Sequence, residues 1–315
     1  MRVAVLTGRE HFEIDEEPIP QIGKDEVLVR VRACGVCTSE LDSWQGTASP
    51  DYPLRLGHEV SGRVVACGDE VETLSIGEPV GVWVTGRGYA EYVAVKAEYC
   101  RPAVAGPLDC ALAEPLACAV NAVERADVRL GDDVVVIGAG FMGLLVQQLV
   151  GLRGARQIIV ADTRADALAR ARSQGAAQAV DVGAESLGDV VAERTHGHLA
   201  DVSFECTGSQ AALTTLGEVT RMSGKLVLVG FHQGPPREIP LTWWNWMAFD
   251  IVNGHFREAA TIMRGMTIGM RLLGSGALSL APLVTHRFRL EEINQAFEAA
   301  RDKPAGFVKA TVILD

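Results

Sequence analysis

Four side chains scattered over the first third of the chain are of types that can hold a metal. They are the thiol of Cys37 in ACGVCTSELD (33–42), the imidazole of His58 and carboxylate of Glu59 in LGHEVSG (56–62), and the carboxylate of Glu114 in LAEPLA (112–117). Thiolate, imidazole and carboxylate are the donors zinc takes, and three protein ligands leave a position open for water or substrate. Each residue also has a plain structural reading. Cys34 and Cys37 can be two buried small side chains, and a glycine-flanked His-Glu pair can be an exposed turn. With ligands this far apart, spacing alone leaves the two readings side by side.

A second constellation is GAGFMG at 138–143. It follows an apolar run, Asp133–Ile137, and opens an apolar helix, the context in which GxGxxG acquires a mechanical meaning. Gly138 permits the tight turn, Gly140 lets a pyrophosphate approach the backbone, and Gly143 allows close helix–strand packing; Phe141 and Met142 supply the helix's first free amides. Asp162, nineteen residues past Gly143 at the end of IIVAD, is placed to accept from both ribose hydroxyls and to repel a 2′-phosphate, which favours NAD over NADP. Arg164 can accommodate such a phosphate or stand as a solvated helix-start residue. Cys206 and Thr207, in FECTG, close a later strand at the sheet end where cofactors bind.

The elements that must position these groups fall into two textures. The first hundred residues carry short alternating runs (VLVRVRA, GRVVACG, EPVGVWV, AEYVAV) with glycine or proline between them, the pattern of a β-barrel or sandwich. After about Val120, apolar strands alternate with helices, predicted over Met142–Leu152 and Arg164–Gln174, up to a sixth strand in FDIVNG. That rhythm belongs to an open parallel sheet covered on both faces. Beyond Phe256 the pattern predicts two helical stretches, split around Gly274–Gly276, and a final strand ATVIL. This tail is too short to fold alone and is expected to pack on the N-terminal part. The expected boundaries are 1–118 with 257–315 for the first domain and 119–256 for the second.

Composition narrows the function classes. With 29 Lys+Arg against 40 Asp+Glu the 315-residue chain carries a net charge of −11, which repels nucleic acid. The longest apolar region, from Val134 to Leu152, holds several glycines and two glutamines, so no membrane span is expected. Seven cysteines, an odd number, and no leader-like N-terminus point to a reducing cytoplasm and to free or metal-bound thiols.

The motifs DEVLVRVRACGVC, GHEVSG, YAEYV, AEPLA, GAGFMG, FECTG and HRFRLEEINQAFE occur in an order that resembles the zinc-dependent medium-chain dehydrogenases/reductases, nearest the sorbitol (polyol) and threonine dehydrogenase branches. The resemblance implies a GroES-like catalytic domain, completed by the C-terminal segment, around an inserted Rossmann domain. It places Cys37 and His58 as catalytic zinc ligands, Glu114 at the third-ligand position and Glu59 as a glutamate that joins or leaves the metal. Zinc can lower the pKa of bound water by many units, to about 7; an alcohol is acidified similarly, and its hydride then passes to the nicotinamide. Ser39 matches the relay hydroxyl. Where many relatives have a relay histidine this chain has Asp42, and where they have an aspartate that orients the ligand histidine it has Glu40.

One departure is larger. The lobe that carries four closely spaced cysteines and a structural zinc in most zinc members is missing, since only EPVGVWVTGRG separates Gly77 from Tyr89. The expectation is therefore one catalytic zinc per chain and NAD as cofactor. The reaction expected is between a secondary alcohol and a ketone, with a polyol, cyclitol or sugar derivative as the substrate class and a homo-oligomer, dimer or tetramer, as the assembly. Two rival readings are a zinc-independent NADPH-dependent quinone or enone reductase and a catalytically silent nucleotide-binding module. Among secondary candidates, His196 and His198 read as a solvated turn, Trp44 as a pocket residue, and Trp243, Trp244 and Trp246 as interface or pocket wall. Lys309 reads as either a basic residue near the pyrophosphate or a surface residue.

Overall fold

The computed structural model describes residues 1–103 and 106–314. The chain divides into two compact units, Met1–Ala117 with Ile262–Asp315, and Cys118–Thr261. In the first unit β1 (Arg2–Gly8) and β2 (His11–Glu16) form an antiparallel pair. They are followed by β3 (Glu26–Gly35), the short helix α1 (Leu41–Gln45), β4 (Glu59–Cys67), β5 (Pro79–Trp83), β6 (Tyr92–Lys96) and β7 (Cys100–Pro102). In β3 the valines 27, 29 and 31 are buried while 28, 30 and 32 are less so, the period of two expected of a half-buried strand. Helix α2 (Ala113–Ala126) carries the chain into the second unit.

That unit runs β8 (Asp133–Ile137), α3 (Phe141–Leu152), β9 (Gln157–Asp162), α4 (Ala165–Ser173), β10 (Gln178–Asp181), α5 (Leu187–Arg194), β11 (Ala200–Glu205), α6 (Gln210–Glu218), β12 (Thr220–Leu228), α7 (Leu241–Trp246) and β13 (Asp250–Asn253). The six strands pair in parallel in the order β10-β9-β8-β11-β12-β13. The chain fills one side of β8 first and then the other, so the order reverses between β8 and β11, the place where such sheets open a crevice for ligands. Every residue of β8 is buried, as a central parallel strand requires.

The tail returns to the first unit as α8 (Ala259–Gly274), β14 (Val284–Arg289), α9 (Ile293–Asp302) and β15 (Lys309–Ile313). β15 lies antiparallel to β3, extending a sheet of order β14-β15-β3-β4-β5-β7, with β6 also on β3. β14 corrects the reading of the tail as helices and one strand. Its alternation is hidden because it is an edge strand carrying His286, Arg287 and Arg289 on partly exposed positions.

Phe297 of α9 closes the first unit's core. Its ring sits 4.8 Å from that of Phe12, 5.7 Å from Trp44 and 5.7 Å from Tyr89, and all four are buried. Phe297→Ala should cost about 3–5 kcal/mol in equilibrium denaturation; a loss under about 1 kcal/mol would show that the tail does not carry this core.

Candidate metal centre and glycine-rich loop

The ends of two neighbouring strands build the first site. β3 stops at Gly35 and releases Cys37 into a single 3₁₀ turn, Thr38–Glu40, while His58 immediately precedes β4. The register sets Gly35 directly opposite Glu59. One donor atom from each of Cys37, His58 and Glu59 then lies within 4.8 Å of the other two. Ser39 Oγ donates to Cys37 Sγ at 3.1 Å. Two residues named with this group stand apart from the cluster. Glu114, in the first turn of α2, acts through its charge on Lys309, and Asp42 Oδ1 accepts from Thr47 Oγ1 at 3.0 Å.

Sequence reasoning missed the buried cation beside Glu59. Lys309, 5% exposed, donates from Nζ to Glu59 Oε1 at 2.7 Å, across 250 positions of chain. Burial disfavours its charge, yet the negative charges of Glu59 and Cys37 and the bond to Glu59 outweigh it, and the ammonium is held above its ordinary range. This corrects the surface placement of Lys309. Glu59 Oε2, in contrast, is buried with no hydrogen-bond partner among the described residues. Space for it comes from Gly35, where a Cβ would stand 2.0 Å from that oxygen.

His58 is oriented from behind. Its Nδ1 lies 3.2 Å from Glu40 Oε1, the same oxygen that accepts from Gly57 N at 2.7 Å, and Tyr89 Oη donates to Glu40 Oε2 at 2.7 Å. Glu40 thus keeps the orienting role expected of it, with Tyr89 as a second missed participant. With Nδ1 engaged, Nε2 is the nitrogen left for Cys37. Burial disfavours an imidazolium, but hydrogen bonds to Cys37 and Glu40 and the charge of both push His58 up to about 12. A metal entering here must displace that proton. Burial, then Glu40 and Glu59, push the Cys34 thiol well above its ordinary value, so Cys34 stays protonated and structural.

The glycine-rich loop sits between β8 and α3. Gly138 takes φ +104° and its N–H donates to Ala161 O at 2.7 Å. A Cβ on Gly143 would stand 1.8 Å from Gly138 O, so only glycine lets α3 approach the turn, whereas a Cβ on Gly140 would meet nothing within 4 Å. Gly140 caps α3 without a side-chain bond, so the helix's N-terminal end is not closed by its cap residue. Phe141 is buried and Met142 partly so. Asp162 faces the loop, with Oδ2 accepting from Ala139 N at 2.7 Å and Oδ1 from Arg164 N at 2.9 Å. Arg164 is partly exposed at the start of α4, 3.9 Å from Asp162 and 3.8 Å from Asp166. Thr207 Cγ2 lies against Gly138, 2.6 Å from where a Cβ would be. Burial, then the charge of Glu205, push the Cys206 thiol well above its ordinary value.

Several secondary candidates resolve plainly. Trp44 is 1% exposed and belongs to the hydrophobic core, with Arg301 stacked over it, so it is not a pocket wall. Trp244 is likewise core, packed on Gly217 and Phe249, while Trp243 and Trp246 are exposed. His196 and His198 are exposed in a turn. Cys34, Cys37, Cys67, Cys100, Cys110 and Cys206 are free thiols, and among the described residues no helix is long and apolar enough to cross a membrane.

A β unit completed by its own C-terminal strand, interrupted by a doubly wound parallel sheet, defines a GroES-like domain joined to a Rossmann-type one. Residues 23–117 match the family model for the alcohol dehydrogenase GroES-like domain and residues 142–260 that for zinc-binding dehydrogenases. Sorbitol dehydrogenase of Gallus gallus is 31% identical over 92% of this chain and 90% of its own length. L-threonine 3-dehydrogenase of Ruegeria pomeroyi is 31% identical over 95% of each. Alcohol dehydrogenase TADH from Thermus sp. ATN1 superposes with a TM-score of 0.89 at 25% identity, covering 100% of both chains. The chain belongs to the alcohol dehydrogenase family of medium-chain dehydrogenases/reductases, and it is an oxidoreductase of that family.

The two loop glycines should separate in a paired test. Gly143→Ala, clashing with backbone, should lower stability by about 1–3 kcal/mol, whereas Gly140→Ala should fold with near-normal stability and weaken dinucleotide binding measured by calorimetry. Equal stability of the two variants would contradict this geometry.

Proposed function

We propose that the chain is an NAD-dependent dehydrogenase with one catalytic zinc, interconverting a secondary alcohol and a ketone, with a polyol, cyclitol or sugar derivative as substrate. The observation that carries the reading is the convergence of Cys37, His58 and Glu59 within 4.8 Å, with Glu59 Oε2 buried and without a hydrogen-bond partner among the described residues. A thiolate, an imidazole and a carboxylate suit zinc, and an orphaned carboxylate oxygen in a buried site suits a cation. Cys37, His58 and Glu59 would hold the ion, with Glu114, whose charge acts on Lys309, as a further donor proposed from the family pattern. The short link between β5 and β6 contains no cysteine, which supports a single metal.

Zinc bound there would supply Lewis acidity toward an alcohol oxygen, and NAD would supply the hydride acceptor. The chain's own residues do the rest. Glu40 and Tyr89 fix the ring of His58; Lys309 holds one oxygen of Glu59 and leaves the other for the cation. Ser39 Oγ, beside Cys37, receives the hydroxyl proton. Asp42, engaged by Thr47, is proposed as its outer acceptor in place of a histidine. The positive N-terminal end of α3 and the open space at Gly140 suit a pyrophosphate, and both oxygens of Asp162 keep a lone pair for ribose hydroxyls. Cytoplasmic residence belongs to the same reading, which free thiols support.

Metal analysis should find one zinc per chain, and chelation should abolish NAD-linked oxidation in a panel of polyols, aminocyclitols and secondary alcohols. Cys37→Ser should lose metal and turnover but still bind NAD. Activity that survives complete metal removal would overturn the proposal in favour of a zinc-independent reductase.

The assembly is proposed as a homo-oligomer joined through the second unit. Its edge strand β13 leaves Ile251 48% exposed, and Trp243 and Trp246 nearby in sequence are 46% and 73% exposed. Light scattering on the purified chain should read a dimer or tetramer, and a monomer at micromolar concentration would rule this out.

A further inference from the structure

β11 ends on a glutamate that the chemistry above does not use. Glu205 is 0% exposed at the C-terminal end of a central strand, where an unpaired carboxylate would be costly. Its Oε1 gathers the turn that follows, accepting from Thr207 N at 2.6 Å, Thr207 Oγ1 at 2.6 Å and Gly208 N at 2.8 Å. Its Oε2 stands 2.9 Å from His232 Nε2, an ion-pair distance, although neither atom has a hydrogen-bond partner among the described residues. Arg237 Nε donates to His232 Nδ1 at 3.3 Å, which leaves the ring proton of a neutral imidazole on Nε2. Arg237 also donates to Gly208 O at 3.0 Å and Gln233 O at 2.7 Å. Gly230 keeps the room, since a Cβ there would stand 2.4 Å from Glu205 Oε2.

One buried carboxylate therefore ties the loop after β11 to the loop after β12. The 206–209 turn is also pinned to the glycine-rich loop, for Cys206 N donates to Ile137 O at 2.9 Å and Thr207 rests on Gly138. The sheet order puts Asp162, the adenosine-side acid, on β9 to one side of β8, and Glu205 on β11 to the other. A dinucleotide lying across the switch point would thus meet the 206–209 turn with its second half.

We propose that Glu205 is a positioning residue for the nicotinamide half of the cofactor, acting through Thr207 and the 206–209 turn without touching the ligand. The inference rests on the dinucleotide reading of the glycine-rich loop. Charge matters to it: a glutamine keeps one acceptor for the turn but weakens those charge-assisted bonds and sets an N–H₂ against His232 Nε2–H.

The test is calorimetric binding of NAD⁺ and of ADP-ribose, which lacks the nicotinamide ring, to wild type and to Glu205→Gln. NAD⁺ should bind the variant roughly tenfold more weakly while ADP-ribose stays within about twofold and the thermal midpoint of the unliganded protein holds. Should the variant not fold, His232→Gln removes the Oε2 contact from a partly exposed position and should give the same split. Unchanged NAD⁺ binding, or equal loss of both ligands, overturns the role of Glu205 alone. A wild type that binds neither ligand overturns the dinucleotide reading beneath it as well.

Discussion

The first unit is organised by the need to bury charge without stranding it. Glu59 and Lys309 are 1% and 5% exposed, and either ion alone in that interior would cost several kcal/mol. Their contact offsets much of that only if β4 and β15 are both seated on β3, one on each side of it. The last strand of the chain therefore does more than close a sheet. It delivers the cation that lets a carboxylate stand beside Cys37 and His58 with one oxygen still uncommitted.

The two units use the same device twice. Glu40 and Glu205 are buried carboxylates that accept from one and two backbone amides respectively, each also accepting from a hydroxyl and standing beside an imidazole. The outcomes differ at the far nitrogen of the imidazole. In His58 it turns to Cys37, whereas in His232 it is taken by Arg237. The first arrangement orients His58 toward Cys37, and the second spans two loops. In both, hydrogen bonds to a charged acceptor fix local geometry that the loops' own composition could not hold.

Much of this was legible in the chain's chemistry. Alternation of Val27, Val29 and Val31 announces β3, and the all-apolar VVVIG announces a central parallel strand, because burial on one face or two writes a period directly into sequence. GAGFMG and Asp162 could be read as one device because their spacing is that of a single βαβ unit. β14 was not legible, since an edge strand with arginines toward solvent has little apolar signal to give.

What sequence by itself determined is therefore local: which segments are strands and helices, where the glycines free the backbone, and which thiol, imidazole and carboxylates are available. Only the tertiary structure decided that Glu59 and not Glu114 joins Cys37 and His58 in one cluster, that Lys309 is buried against Glu59, that Tyr89 braces Glu40, and that Trp44 is core. The physical reason is reach. Those contacts join residues tens to hundreds of positions apart through strand register and packing, and neither leaves a period or a spacing in the linear chain.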